Sequence, residues 1–331
     1  MRNLLAKSPI DGFIASIFLA VVVAAVFPAS GVFADVMDWV VTGLIALLFF
    51  LYGTRLSPRE ALDGLTHWRL HTTILAFTFV LFPLIGLALH PMLSPMIGAD
   101  LADGFLYMTL VPSTVQSSIA FTSIARGNVP GAIVSASASN LLGVVLTPAL
   151  VVLLMSSDAG VHIDGESILE IVLKILVPFI VGQIARPLVG PFLRRYAEPT
   201  KYVDRGSIVM VVYVAFSEGV QSGLWSQVDA VDVILVIVLS TVLVALMLAI
   251  TWFVPKRLGF NREDMVAAQF CGTKKSLATG LPLASVMFTG SVVGFMVLPL
   301  MIFHQIQLIV CAWLANRYHR QSDPQGDTVD A

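Results

Sequence analysis

Two adjacent lysines, Lys274 and Lys275, lie inside an apolar run, within Phe270-Cys271-Gly272-Thr273-Lys274-Lys275-Ser276. A second polar stretch, Pro112-Ser113-Thr114-Val115-Gln116-Ser117-Ser118, interrupts an earlier apolar run. Ser137, Ser139, Asn140, Ser217, Glu218, and His304 with Gln305 and Gln307 are further polar groups in such runs. An ionisable side chain at the bilayer centre costs on the order of 2.5 to 3.5 kcal/mol on insertion scales, so it takes a partner or a wet cavity. Opposite charges in such runs suggest that one lysine pairs with Glu218. The other is then left to attract an anionic solute or to release a proton. A purely structural ion pair is the plainer reading of the same residues. His304 reads first as hydrogen-bonded packing and second as a proton relay. Cys271 and Cys311 both lie in apolar stretches, with neither a disulfide framework nor a CxxC metal pair. An intramembrane enzyme needs a nucleophile with a base, or a metal cluster. Cys271 beside Lys275 is the nearest approach, with no histidine close in sequence, so no enzymatic activity and no bound metal are expected.

Composition decides what kind of element carries these residues. The chain of 331 residues is 57% hydrophobic and 12% charged, with mean hydropathy +0.89, whereas soluble domains run near half apolar and about a quarter charged. A soluble globular fold is excluded. The net charge of −2 gives no reason to expect nucleic-acid binding. Apolar runs fall at 13–29, 36–54, 70–90, 104–125, 129–155, 166–188, 206–227, 231–254, 264–288 and 291–316. At about 20 residues per crossing, these predict ten transmembrane helices in an all-α polytopic membrane protein, a single domain over 1–331.

Charge placement gives the orientation. Alternate connections hold Arg2 and Lys7; Arg55, Arg59 and Arg69; Arg126; Arg186, Arg194, Arg195, Lys201 and Arg205; Lys256, Arg257 and Arg262; and Arg317 with Arg320, sixteen of the nineteen cations. The intervening connections, around Asp35, Asp100 and Asp103, Asp158 to Glu166, Asp229, and Thr289 to Gly290, hold none. Positive charge is retained in cytoplasmic loops, so both termini are expected in the cytoplasm, in a plasma (inner) membrane. Lys174 and Glu170 read as interfacial anchors. The N-terminus also reads as a signal peptide, with Lys7, an apolar core from Phe13 and Val32-Phe33-Ala34 as cleavage site, which would leave nine helices.

The two polar stretches decide in favour of ten. They lie five spans apart, and each precedes a long apolar helix bearing a proline, Pro148 in one case and Pro299 in the other. Five is odd, so the second half enters from the opposite side, as a 5+5 inverted repeat. Repeat one covers about 13–155 and repeat two about 166–316. Helices four and nine are then discontinuous, which lipid tolerates only against protein or a wet cavity. Halfway between flanking loop charges, the membrane centre falls beside Gln116, Ser117 and Ser118; beside Ser137, Ser139 and Asn140; on Ser217 and Glu218; just past Lys274, Lys275 and Ser276; and near His304. The polar end 321–331, with Asp323, Asp327 and Asp330, reads as a disordered tail.

Two segments resemble a known family. Gln116-Ser117-Ser118-Ile119-Ala120-Phe121-Thr122-Ser123-Ile124-Ala125-Arg126-Gly127-Asn128, followed by Leu141-Leu142 and Leu146-Thr147-Pro148, resembles helices four and five of the bile acid:sodium symporter family. Phe270 to Ser276, with Leu298-Pro299-Leu300 and His304-Gln305, looks most like its divergent branch, typified by member seven of solute carrier family 10 and its bacterial relatives. The resemblance implies a core domain of helices three to five and eight to ten, in which helices four and nine cross. It implies a panel domain of helices one, two, six and seven, with solute bound between the two. It places the family's sodium ligands on Ser117 and Ser118, and among Ser135, Ser137, Ser139 and Asn140. On helix nine the family's glutamate, glutamine and asparagine fall on Cys271, Lys275 and Ser276.

That last set departs from the family by about three charge units. At about 4 Å and an effective dielectric of about 20, each ammonium repels sodium by about 4 kcal/mol, roughly three decades in affinity. Sodium is therefore disfavoured as a cofactor by Cys271, Lys274 and Lys275, and no other cofactor is expected. A lysine ammonium can take the cation's place. The expected function is secondary transport of a small organic anion by alternating access, with proton or no cation coupling ahead of sodium. The alternatives are a conventional sodium:organic anion symporter and a non-transporting regulatory or scaffold protein. An arsenite carrier of related fold would want a cysteine in helix four, which has none. The partners are the anion and the lipid bilayer.

Overall fold

The computed structural model describes residues 12–55, 67–155, 169, 172–221, 223, 228–288 and 292–321, and among them there is helix and no strand. In chain order the helices are α1 (Gly12–Val26), α2 (Val32–Arg55), α3 (Trp68–Ile97), α4 (Ala99–Leu110), α5 (Gln116–Ile124) and α6 (Val129–Met155). After a π-helical turn at Val172–Leu176 come α7 (Val177–Arg195), α8 (Ala197–Gln221), α9 (Ala230–Arg257), α10 (Arg262–Gly272), α11 (Leu277–Met287) and α12 (Val292–Gln321). Among the described residues α2, α3, α6, α9, α12 and α7 with its π-helical turn are long and apolar enough to cross a membrane. Trp39, Leu153, Ile184 and Leu188 are each more than two-thirds exposed. Such apolar outer faces need an apolar solvent, so the chain is an integral membrane protein.

The helices sort into two packed groups. One contains α1, α2, α7 and α8; the other contains α3 to α6 and α9 to α12, and α8 touches α11 and α12 across the gap. Within the first group α2 and α7 meet at glycines. A Cβ on Gly53 would stand 2.2 Å from the Phe179 carbonyl oxygen, and one on Gly182 would stand 2.2 Å from that of Phe50. In lipid there is no hydrophobic drive between helices, so this backbone approach supplies the contact. Gly53→Ala must push the helices apart and is expected to cost about 1 to 3 kcal/mol, measured as a lower melting midpoint in detergent.

One stretch behaves differently from the sequence expectation. The cationic connection over Arg186 to Arg205 is almost wholly helical, because α7 continues to Arg195 and α8 begins at Ala197, with only Tyr196 between them. Lys and Arg are good helix formers whose long stems reach the interface, so a cation-rich segment need not be a loop. Val32-Phe33-Ala34 forms the first turn of α2, and α1 packs on α8. Arg2, Lys7, Arg59, Asp158 to Glu166, Glu170, Thr289, Gly290 and the tail after Gln321 lie outside the described residues.

One local irregularity serves the site. Within α3, Phe77–Leu81 is a π-helical turn, in which the Phe82 N–H bonds back to the Phe77 carbonyl. The next residue, Pro83, has no N–H to give. The Thr78 carbonyl is thereby left without a main-chain donor inside the helix.

Candidate functional site

Helices α4 and α5 are joined by the extended segment 111–115, and α10 and α11 by 273–276. The two segments cross in contact: the Ser276 N–H donates to the Pro112 carbonyl at 2.8 Å, and Ser113 Oγ donates to the Cys271 carbonyl at 2.6 Å. Breaking two helices in a dry interior frees backbone groups, each costly if unpaired. Side chains answer for them. Thr147 Oγ1 donates to the Leu110 carbonyl at 3.0 Å, and Asn140 Nδ2 to that of Ser113 at 2.6 Å. The Ser113 N–H donates to Ser139 Oγ at 3.0 Å, and Ser118 Oγ donates to the Phe270 carbonyl at 3.3 Å. Gln307 grips Lys275 on both sides, accepting from its N–H at 2.8 Å and donating to its carbonyl at 2.7 Å. Asn140 Oδ1 accepts from Thr279 Oγ1 at 2.7 Å, which ties α6 to α11. His304 Nδ1 lies 3.1 Å from the Lys275 carbonyl.

The two lysines have opposite surroundings, although both are fully buried. Lys275 Nζ donates to three carbonyls, of Thr78 at 2.9 Å, Thr109 at 2.7 Å and Val111 at 2.9 Å, with the Phe82 ring centroid 4.2 Å away. An ammonium has three donors, so this one is saturated. One acceptor is the carbonyl released by the π-turn; the other two come from the end of α4. Lys274 Nζ has no hydrogen-bond partner among the described residues. It lies 3.8 Å from the Phe121 ring centroid and 5.9 Å from that of Phe270. Cys271, Cys311 and His304 are within its electrostatic reach.

The crossing gathers Ser118, Ser139, Asn140, Cys271, Lys274, Lys275, Ser276 and His304. Ser135 and Ser137 lie apart from it on α6, and Gln116 and Ser117 stand at its edge, where α5 begins. Ser135 is buried with its hydroxyl 2.6 Å from His71 Nδ1, and Ser137 is half-buried on α6. Gln116 is exposed at the start of α5, and Ser117 Oγ lies 2.8 Å from Thr114 Oγ1. The expected pairing of Glu218 with a lysine is not made. Lys275 spends its donors on carbonyls and Lys274 makes no hydrogen bond, while Glu218 is half-buried on α8 within electrostatic reach of Asp38 on α2. Depth fixes only one coordinate of a side chain, and the direction in which a helix faces is another. Sequence reasoning also missed Thr78, Phe82, Thr109, Phe121, Thr147 and Thr279. The usable signal was Pro83, five residues after Thr78.

The three carbonyl oxygens around Lys275 Nζ already face that amine, and Asn140 Oδ1 already accepts from Thr279. What the arrangement offers is fixed positive charge, since the uncapped N-terminus of α5 and the N-terminus of α11 both begin at the crossing. Half-helix N-termini favour anions.

Comparison with known proteins identifies the family. A family model described as the SBF-like CPA transporter family matches residues 11–320. YfeH of Escherichia coli is 45% identical over 317 residues, covering 95% of this chain and 94% of its own. Protein PA2026 of Pseudomonas aeruginosa is 51% identical over 313 residues, with coverage of 95% and 94%. The mouse sodium/bile acid cotransporter 7 is 29% identical over 332 residues, covering 95% of this chain and 96% of its own.

Proposed function

Because this chain belongs to the SBF-like CPA transporter family and is a transporter of the bile acid:sodium symporter type, we propose that it moves a small organic anion by alternating access, coupled to protons or to no cation and not to sodium. The observation that carries this reading is the Lys275 ammonium, bonded to three carbonyls at the helix crossing. A cation is already seated there, covalently held, and a dissolved one would meet its charge and that of Lys274.

The rest of the proposal follows the packing. The core is α3 to α6 with α9 to α12, and the panel is α1, α2, α7 and α8. Counting α4 with α5 and α10 with α11 as one interrupted span each, the chain crosses the membrane ten times as two inverted repeats. The contacts support that division: α1 on α8 is mirrored by α7 on α2, α3 on α4 by α9 on α10, and α5 on α6 by α11 on α12. Solute binds between core and panel, drawn to the start of α5 and to Lys274, the ammonium whose donors are unspent. Gln116, Ser117 and Ser118 supply neutral hydrogen bonds at the same helix end. Both termini face the cytoplasm, and the host bilayer is the inner membrane.

Flux into proteoliposomes tests this directly. With sodium and pH gradients imposed separately across a panel of organic anions, uptake is expected to follow the pH gradient or the solute gradient alone, unchanged when choline replaces sodium. Uptake that requires sodium overturns the coupling. No uptake of any anion, together with one-sided labelling of Ser117→Cys, overturns transport and leaves a scaffold.

A further inference from the structure

We infer that the carbonyls of Thr78, Thr109 and Val111 form a seat for a monovalent cation, that Lys275 fills this seat as a tethered ammonium, and that sodium or a small alkylammonium can enter only when the side chain is cut away. The inference rests on the transport reading above only for its consequence, which is that the chain carries its own cation through the cycle.

Four features make this a built site and not a chance contact. The three oxygens come from α3, from the end of α4 and from the segment that follows it, and converge on one nitrogen at 2.7 to 2.9 Å. None of the three is a side-chain oxygen, so the seat has no charge of its own and matches a single positive charge. Its floor is the Phe82 ring, whose face attracts a cation and is itself braced edge-on by Phe303 at 6.0 Å. The oxygen contributed by α3 exists only because the π-turn and Pro83 release it. Gln307 meanwhile clamps both main-chain groups of Lys275, which fixes the direction from which the amine enters. Main-chain carbonyl oxygens are a ligand type that alkali cations and ammonium share, whereas a larger quaternary ammonium offers no N–H and exceeds the space of one amine.

The experiment uses the full chain in detergent, as wild type and as Lys275→Ala, in chloride salts of sodium, methylammonium or choline at equal ionic strength. The wild-type melting midpoint is expected to be the same in all three. Lys275→Ala is expected to melt lower in choline and to regain several degrees, saturably, in sodium or methylammonium. A variant that responds no better to these than to choline overturns the seat. A second measurement covers a variant that does not fold. The chain has six lysines, so the side-chain nitrogens of wild-type protein carrying nitrogen-15 lysine can be resolved, with Lys275 assigned through Lys275→Arg. Its ammonium signal is expected to stay in place, with slowly exchanging protons, when sodium replaces choline. A signal that shifts or vanishes in sodium overturns the inference. Neither readout uses a solute, so a chain that transports nothing would leave both intact, and failure here would leave the transport reading standing.

Discussion

Lys275→Met is expected to lower the yield and the melting midpoint of the folded protein sharply, while Lys274→Met beside it leaves both nearly unchanged. The substitutions are chemically the same and the two residues are equally buried. What differs is what each leaves behind. Without the Lys275 ammonium, three buried carbonyls lose their donor, at about 1 to 3 kcal/mol each, for roughly 3 to 9 kcal/mol in sum. That is comparable with the whole stability of a typical domain, about 5 to 15 kcal/mol. Replacing an ion together with its partners is often harmless, but here the partners are backbone and stay in place. Lys274 has no acceptor to abandon, and a methionine suits its aromatic surroundings of Phe121 and Phe270. The measurement is the yield of monodisperse protein from detergent and its melting midpoint. Equal behaviour of the two variants would refute the difference drawn between the two lysines.

The second large effect is functional. Lys274→Met is expected to reduce anion uptake by about ten- to a hundredfold, the equivalent of one charge-assisted hydrogen bond of about 1.5 to 3 kcal/mol. Lys274→Arg should recover part of the loss, because it returns a positive charge to the same place. The assay is initial uptake rate at matched protein density, with the melting midpoint as control. Unchanged uptake in Lys274→Met would place the anion elsewhere on the crossing and assign Lys274 to packing.

The sequence was legible wherever polarity contradicts its surroundings. Pro112 to Ser118 and Cys271 to Ser276 stand out against apolar runs, and it is within them that the chain leaves the helix and the two breaks touch. The two lysines were conspicuous for the same reason. Their partners were not, because a carbonyl acceptor is present at every residue and carries no letter of its own. Only an absence marked it: Pro83 withholds an N–H from the turn that precedes it. Glu218 shows the opposite error. Its charge and its distance from the loops agreed with those of the lysines, yet helix rotation, which periodicity in a uniformly apolar span does not reveal, also decides the partner, and Glu218 comes within electrostatic reach of Asp38. The helix limits around Arg195 and Ala197 were missed because cations were read as a connection where the chain stays helical.

The bond between Lys275 and Thr78 joins residues 197 positions apart. Thr78, Thr109 and Val111 therefore leave the ribosome long before the amine that will satisfy them. The first half of the protein enters the bilayer with naked oxygens and is poorly suited to persist alone. Its maturation waits on late synthesis, so nascent chains arrested before residue 275 should be prime clients for insertases and membrane proteases.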